Sequence, residues 1–327
     1  MSAKQVIFII GCGHSGSTLL DMCLGGHPDM SSLGETGFLY PYAHKQSNKD
    51  LCTCGEPLHS CSFWTKVSKE LALQMDIPAK EVFKKLPLTR LDHVLVDKDG
   101  IYRDRLPSDA PAKMTIFRKI ALALGCKHTM KFFGLFSKEM RDYYNYAENR
   151  YILYDAVAKA HNTPVLIDSS KTPGIVAEAW MAQPKNIDVR FIHMLRDGRA
   201  VCASSMRRLG LSMTQAVTRW LGEHKKREIA FRRVPQDQMY TVRYEEFCTD
   251  PTKELQNLCQ WLGHDFDTQM LNFREDRHNV GGNPARFKKE ETNIRLDEKW
   301  KTSLSKEDLE TFYRLTGHKN ETLGYKK

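Results

Sequence analysis

The sequence contains no long apolar run. A helix that spans a bilayer needs roughly 20 consecutive apolar residues, and no stretch of the chain approaches that length. The apolar run at residues 6–10, VIFII, is short and leads directly into glycines, so it does not have the pattern of a signal peptide. We therefore expect a soluble protein of the cytoplasm without a membrane span.

Long blocks of lysine or arginine, internal repeats and low-complexity segments are also absent from the sequence. The formal net charge is nevertheless +9, from 49 Lys and Arg against 40 Asp and Glu. A positive surplus favours anionic ligands such as nucleotides, acidic peptides or sulfated sugars. Because the positive charges are scattered and no known nucleic-acid-binding motif is present, we expect no nucleic acid partner.

Strand-like and helix-like segments alternate along the chain. One helix is clearly delimited, with Asp250 as its N-cap, Pro251 at its first position and Gly263 at its end. Another helix is expected to start near Ser305. The runs that predict strands lie at residues 6–10, 164–168, 189–195 and 239–244. This alternation predicts an α/β fold, a P-loop-type parallel sheet flanked by helices.

The 327 residues suffice for one large α/β domain or two small ones. Residues 50 to 150 differ from the rest, because they are rich in Lys, Phe, Leu and Tyr and mostly helical in pattern. No flexible linker separates them. We predict a single domain, 1–327, with a helical insertion or cap at about 50–150. Four aromatic residues of this insertion are expected in its core: Phe132, Phe133, Tyr143 and Tyr144.

The stretch GCGHSGST, residues 11–18, is similar to a nucleotide-triphosphatase phosphate loop, G-x-x-x-x-G-K-[ST], with Ser17 in place of the lysine. Backbone N–H groups after a strand and before a helix form a site for an anion. A tight turn that binds nothing is the alternative. The missing lysine argues against triphosphate hydrolysis. The candidate ligand-binding residues of this anion loop are Gly13, His14, Ser15, Gly16, Ser17 and Thr18.

The stretch LRDGRAVCASS, residues 195–205, places an arginine after another predicted strand. In open α/β sheets, ligands bind beyond the carboxyl ends of the strands. Arg196 and Ser204 could therefore meet a second phosphate, the arginine through its bidentate guanidinium. An Arg–Asp pair at a helix start is the alternative interpretation.

Together these segments resemble the sulfotransferase superfamily, and most closely the tyrosylprotein sulfotransferases and their bacterial relatives. Two more blocks carry the resemblance: IDSSKTP and VRYEEFCTDP, at residues 167–173 and 242–251. HSGSTLLDMCLGGHPDMSSLGET, residues 14–36, looks like the family's loop, helix and acidic segment. Separate blocks in the family's order are much more specific than any one of them.

The resemblance implies transfer of a sulfuryl group from 3′-phosphoadenosine-5′-phosphosulfate (PAPS) to a hydroxyl by in-line displacement, with adenosine 3′,5′-bisphosphate as the product and no catalytic metal. It implies Glu35 as general base and Lys171 as the group that stabilises the leaving phosphate. Taken alone, Glu35 would read as a solvated loop carboxylate and Lys171 as a surface charge. We expect the acceptor to be a peptide tyrosine, a carbohydrate or a small molecule, and the helical insertion to shape its site.

The resemblance also implies how the donor is held. Arg196 and Ser204 would bind the 3′-phosphate. Tyr244 would lie near the adenine, and Ser170 would help to hold the nucleotide. His14 stands where the family has Arg or Lys, so it is expected to contact the phosphosulfate or to share in proton transfer. A late basic loop would close over the nucleotide through Arg286 and Lys288, with a solvated surface loop as the alternative.

Two alternative functions stay open from the sequence. A P-loop small-molecule kinase would use ATP and Mg²⁺, which Ser17 in the lysine position argues against. A non-catalytic nucleotide-binding protein would bind without turnover, and the presence of both Glu35 and Lys171 argues against that.

Three of the nine cysteines cluster in CTCGEPLHSC, residues 52–61. The spacing C-x-C-x₄-H-x-C, which includes His59, permits zinc but is not a standard finger pattern. A disulfide and free thiols are the alternatives. We predict no metal ligands from the sequence.

Overall fold

Five parallel strands form the central sheet of the computed structural model, in the order β2-β5-β1-β6-β7. A separate antiparallel pair is formed by β3 and β4. The strands are β1 (Gln5–Gly11), β2 (Met30–Ser32), β3 (Val94–Val96), β4 (Tyr102–Asp104), β5 (Val165–Asp168), β6 (Asp188–Leu195) and β7 (Met239–Arg243). The structure describes residues 1–40, 43, 51–88, 94–96, 102–104, 120, 124, 127–171, 174, 179–232, 234–275, 277–288, 290 and 292–326.

Helices cover both faces of the sheet. Their bounds are α1 (Ser17–Leu24), α2 (Ser62–Met75), α3 (Val82–Lys85), α4 (Lys127–Gly134), α5 (Lys138–His161), α6 (Gly198–Leu209), α7 (Met213–Ala230), α8 (Tyr244–Thr249), α9 (Pro251–Leu262), α10 (Trp300–Ser303), α11 (Lys306–Thr316) and α12 (Lys319–Thr322). The predicted limits of α9 are confirmed: the Asp250 carboxylate accepts from the Lys253 amide at 3.0 Å, and Gly263 ends the helix with φ of +82°. Ser305 caps α11.

The middle strand of the sheet, β1, is covered on both faces. All seven residues of β1 are buried, and alternate side chains enter different cores because successive residues of a strand point to opposite faces. Phe8 packs with Tyr154 of α5 and Phe191 of β6. Ile9 belongs to the core that contains Leu255 of α9. A continuous apolar run is therefore what this strand requires, and the predicted fold class is confirmed.

Two local predictions were wrong. The strand predicted to reach residue 244 ends at Arg243, since Tyr244 begins α8. Phe132, expected in a core, is 56% exposed, whereas Tyr143 is buried as expected.

In the described parts of residues 50 to 150, helices α2 to α5 predominate and β3–β4 adds a small strand pair. That residues 1–327 form a single domain stays a prediction. Within the described part of the chain, every helix is too short or too polar to cross a bilayer.

Candidate active site

The carboxyl ends of the parallel strands place the predicted site residues at one edge of the sheet. The anion loop follows β1, Ser170 and Lys171 follow β5, and Arg196 follows β6. Glu35 lies shortly after β2. Because the strands are parallel, these segments share an edge although they are far apart in sequence.

The anion loop turns sharply between β1 and α1. His14 and Gly16 both adopt left-handed backbone conformations, with φ of +69° and +98°. A β-carbon at Gly16 would lie 2.5 Å from Cδ2 of Tyr244. The loop therefore needs glycine at this position for its conformation and for the close approach of Tyr244.

The loop hydroxyls are buried. Ser15, Ser17 and Thr18 are each at most 9% exposed, and the Ser15 Oγ atom has no hydrogen-bond partner among the described residues. Since buried polar atoms are nearly always paired, an orphaned hydroxyl at the start of α1 fits a site whose partner is an anion.

Positive charge surrounds the loop. Burial, and then the cations Lys171, Arg208, Arg219 and Arg196, lower the pKa of His14 to about 3. The imidazole is therefore neutral near pH 7 in this structure, unlike the charged state that a direct substitute for Arg or Lys would have. His14 can still donate one hydrogen bond, while the surrounding cations supply the charge that attracts an anion.

Arg219 and Glu223 on α7 were not found by sequence reasoning. The Gly13 amide donates to the Glu223 carboxylate at 3.2 Å, and Glu223 pairs with Arg219 at 3.0 Å. A β-carbon at Gly13 would lie 3.8 Å from an Arg219 nitrogen. No local pattern marks these helical residues, because only the packing of α7 brings them to the loop.

Glu35 and Lys171 meet directly. The Lys171 ammonium donates to the Glu35 carboxylate at 2.6 Å, and the two side chains are 18% and 14% exposed. A β-carbon placed at Gly282 would lie 3.1 Å from the Thr18 hydroxyl and 3.6 Å from Glu35 Oε1. The pair thus lies at the end of the anion loop.

A buried aspartate fixes the backbone on both sides of this pair. Asp168, at the end of β5, accepts from the Ser170 amide at 2.7 Å and the Tyr154 hydroxyl at 2.6 Å. It also accepts from the hydroxyl of Thr36, and Arg150 is its buried counterion at 3.5 Å. Thr36 follows Glu35 and Ser170 precedes Lys171, so this network positions both members of the pair. Sequence reasoning did not find it.

A second buried network joins α1 to the segment behind Glu35. The Asp21 carboxylate accepts from Ser32 at 2.9 Å, Ser169 at 3.1 Å and Asn279 at 2.6 Å. Burial raises the pKa of Asp21 to about 7. The Glu35 amide donates to the Val280 carbonyl at 2.6 Å, next to Asn279.

Arg196 lies against the anion loop. Its guanidinium donates to the His14 carbonyl at 3.0 Å and the Asp297 carbonyl at 2.7 Å, and it stacks on the Tyr244 ring at 4.1 Å. The alternative interpretation of this segment is an Arg–Asp pair at the start of a helix. Such a pair is present, but a different arginine forms it: Arg199 pairs with Asp197 at 2.6 Å. Arg196 and Tyr244 thus form one wall of the site.

The remaining predicted residues differ in exposure. Ser170 is buried and its hydroxyl accepts from the Gly37 amide at 3.3 Å. Ser204 is buried within α6. Arg286 points inward, donating to the carbonyls of Gly282 at 3.1 Å and Leu51 at 3.3 Å, whereas Lys288 is exposed.

A parallel sheet with a glycine-rich anion loop after its central strand defines a P-loop-type α/β protein. The family model described as "Sulfotransferase family" matches residues 103–268, about half of the chain, and the chain belongs to the sulfotransferase family. That match contains Lys171, Arg196 and Tyr244, whereas the anion loop and Glu35 lie before it.

Two solved structures share the fold. The sulfotransferase domain from the Synechococcus PCC 7002 olefin synthase aligns with a TM-score of 0.55 and 19% identity, covering 100% of this chain and 96% of that one. The sulfotransferase domain from the curacin biosynthetic pathway aligns with a TM-score of 0.54 and 18% identity, covering 100% of this chain and 99% of that one. No curated protein matches the sequence significantly.

Proposed function

We propose that the protein transfers a sulfuryl group from PAPS to a hydroxyl of its acceptor and releases adenosine 3′,5′-bisphosphate. The observation that carries this proposal is the Glu35–Lys171 pair at 2.6 Å. This contact brings a carboxylate and an ammonium group together at the end of the glycine loop, in a chain of the sulfotransferase family, which supports the proposal.

The residues at the loop suit a phosphosulfate. The orphaned Ser15 hydroxyl and the backbone N–H groups at the start of α1 are donors without a cationic lysine among them. Lys171, Arg196, Arg208 and Arg219 bring positive charge to the same place. PAPS supplies an already activated sulfuryl group, whose transfer needs no catalytic metal.

Glu35 and Lys171 have different roles in the proposed reaction. Glu35 accepts the proton of the acceptor hydroxyl while that oxygen forms its bond to sulfur. The bond between sulfur and the bridging oxygen breaks, and its electron pair leaves with the phosphate. Lys171 donates to that bridging oxygen and offsets the charge that develops there. The anion loop holds the phosphate in line with the acceptor.

The two residues cannot act while they neutralise each other. Substrate binding must therefore separate the pair, with Lys171 turning to the donor and Glu35 to the acceptor. The Asp168 network holds the backbone next to both residues, so only the two side chains need to move.

The wall formed by Arg196 and Tyr244 is proposed to receive the 3′-phosphate and the adenine. The Arg196 Nε atom is buried without a hydrogen-bond partner among the described residues, which leaves a donor for an incoming phosphate. Ser204 would bind the 3′-phosphate together with Arg196. Ser170 and His14 would form hydrogen bonds to the nucleotide. We also propose that the loop containing Arg286 and Lys288 closes over the nucleotide. Arg286 holds this loop from inside by donating to the Gly282 carbonyl.

The acceptor is proposed to be a peptide tyrosine, a carbohydrate or a small molecule that carries a hydroxyl. The cytoplasm is proposed as the compartment. Disulfides are rare there, and none of the described cysteines is paired in a disulfide.

Calorimetric titration with adenosine 3′,5′-bisphosphate, AMP and ATP–Mg²⁺ tests the donor class. We expect the bisphosphate to bind in clear preference to the other two. Preference for ATP–Mg²⁺ would support a kinase and contradict the proposal, as would no binding of any nucleotide. Turnover with labelled PAPS and a panel of acceptors then separates an enzyme from a nucleotide-binding protein without catalysis.

A further inference from the structure

Four soft ligand groups converge at a point that the proposed chemistry does not use. Cys52, Cys54, Cys61 and His278 place their ligand atoms within 4.8 Å of one another. His278 Nδ1 lies 3.6 Å from the Cys52 sulfur and 3.3 Å from the Cys61 sulfur. The sulfurs of Cys54 and Cys61 are 3.7 Å apart.

These separations match the edges of a metal tetrahedron. Zinc binds sulfur at about 2.3 Å and imidazole nitrogen at about 2.0–2.1 Å, so tetrahedral angles give about 3.8 Å between sulfurs and about 3.6 Å between nitrogen and sulfur. A disulfide would require about 2.0 Å between sulfurs. The 3.7 Å that separates Cys54 from Cys61 therefore fits two ligands of one ion.

The loop that carries the cysteines is built as a tight turn. The Gly55 amide donates to the Cys52 carbonyl at 2.8 Å, and Gly55 has a φ of +96°. The Cys61 amide donates to the Pro57 carbonyl at 2.9 Å. These bonds fold the loop so that its three thiols face one point.

His278 is oriented by its own contacts. Its ring stacks on Phe63 with centroids 5.3 Å apart and planes 13° apart. Its carbonyl accepts from the Trp64 indole at 2.8 Å. The stacking holds the ring in place, and the hydrogen bond holds the backbone that carries it.

We propose that Cys52, Cys54, Cys61 and His278 bind one Zn²⁺ ion in a closed structural site. Four protein ligands leave no open position for substrate, which distinguishes a structural zinc site from a catalytic one. Thiolate sulfur selects zinc over the hard cations. Binding releases the protons of the three thiols and involves no redox change.

The site joins two segments that are 217 residues apart in sequence, through Cys61 and His278. The adjoining residues support the same connection: the Thr53 amide donates to the Asn279 carbonyl at 3.2 Å. Asn279 bonds Asp21, and the next residue, Val280, accepts from the Glu35 amide. The ion would therefore hold in place the segment against which the backbone of Glu35 rests.

His59 provides a matched control. It lies in the cysteine loop and fits the sequence spacing, but it is exposed and is not one of the four converging groups. We expect the full chain, purified from zinc-supplemented culture, to contain one zinc per chain by elemental analysis. His278→Ala and Cys54→Ser should lose the zinc, while His59→Ala should keep it.

X-ray absorption on the wild-type protein should show three sulfurs at about 2.3 Å and one nitrogen at about 2.0–2.1 Å. If His278→Ala fails to fold, titration of wild-type thiols with a mercurial reagent in the presence of a zinc indicator replaces it, and zinc should appear as the thiols react. Chelation should speed amide hydrogen exchange in residues 51–61 and 277–283 and leave α9 unchanged.

Several outcomes would overturn the site: a wild-type chain without zinc, zinc retained by His278→Ala but lost by His59→Ala, a disulfide found after thiol alkylation, or the absorption spectrum of an iron–sulfur cluster. None of these readouts depends on nucleotide binding. The zinc site and the proposed sulfuryl transfer can therefore fail separately.

Discussion

At the scale of single residues, the proposed chemistry rests on the contact between Glu35 and Lys171. A carboxylate and an ammonium 2.6 Å apart compensate each other's charge, so a change at either one also leaves the other without its partner. Variants that keep the shape of the side chain are therefore more informative than truncations, because they change the charge and little else.

Glu35→Gln should lower turnover about 10²–10⁴-fold, because an amide cannot accept the acceptor's proton. Binding of adenosine 3′,5′-bisphosphate should persist in this variant. Steady-state kinetics with PAPS and calorimetry measure the two effects. Glu310→Gln, an exposed carboxylate on α11, is the control and should behave like the wild type. Unchanged turnover in Glu35→Gln would rule out Glu35 as the base.

Arg196→Ala should weaken binding of adenosine 3′,5′-bisphosphate about 10–100-fold, the cost of a lost charged hydrogen bond, and weaken AMP binding much less. Calorimetry compares the two nucleotides. Arg190→Ala, on the strand β6 that ends just before Arg196, should change neither, because Arg190 pairs with Asp188. Equal losses on both nucleotides would show that Arg196 only supports the anion loop through the His14 carbonyl.

At the scale of elements, the junction between α5 and β5 depends on a buried ion pair. Arg150 and Asp168 are 1% and 0% exposed. Neither charge is solvated by water, so each needs the other. Breaking such a pair from one side leaves an uncompensated charge inside the protein.

Arg150→Met should destabilise the fold by about 3–5 kcal/mol, because Asp168 stays buried without its counterion. Lys159→Met is the matched control on the same helix. Its salt bridge to Asp155 is partly exposed and should contribute less than about 1 kcal/mol. Urea unfolding measures both variants. Similar losses in the two would contradict the role given to the buried pair.

Gly16→Ala tests the turn between β1 and α1. The added methyl group meets the Tyr244 ring at a residue with φ of +98°, so we expect loss of nucleotide binding and a lower Tm. Gly222→Ala, inside α7 with nothing within 4 Å of the new carbon, should instead stabilise the protein by about 0.5–1 kcal/mol. Intact nucleotide binding in Gly16→Ala would show that the loop tolerates another conformation.

At the scale of the whole molecule, buried ionisable groups set the response to acid. Burial lowers the pKa of His14 to about 3, of His193 to about 4 and of His224 to about 2. The unfolded chain takes up these three protons as the pH falls below 6.5, which favours unfolding. Asp21 acts in the opposite direction, because its raised pKa of about 7 lets the folded state hold one extra proton.

Between about pH 4 and 6.5, the three histidines are protonated in the unfolded state, whereas Asp21 is the group protonated in the folded state. The unfolded state therefore binds more of these protons than the folded state. Stability should therefore rise with pH across this window, by about 1.4 kcal/mol per pH unit for each net proton. Thermal unfolding at pH 5 and pH 7 measures the slope. His193→Gln should flatten it, and a Tm that is higher at pH 5 than at pH 7 would contradict the prediction.

The sequence by itself determined the parts of the protein that depend on neighbouring residues. The continuous apolar run of β1, the glycine turn that follows it and the Asp250–Pro251 start of α9 are local patterns, and each appears where it was predicted. The order of the motif blocks indicated the family. The finer resemblance to tyrosylprotein sulfotransferases and the catalytic roles stay predictions.

The tertiary structure alone decided which distant side chains meet. Nothing near Glu35 in sequence indicates that its partner is Lys171, 136 residues away, or that Asp168 and Arg150 hold the backbone beside them. The spacing of the cysteine loop includes His59, but the folded chain brings His278 to the three thiols. The physical reason is that capping, turns and periodicity are short-range, whereas burial and charge pairing are settled only when the elements pack together.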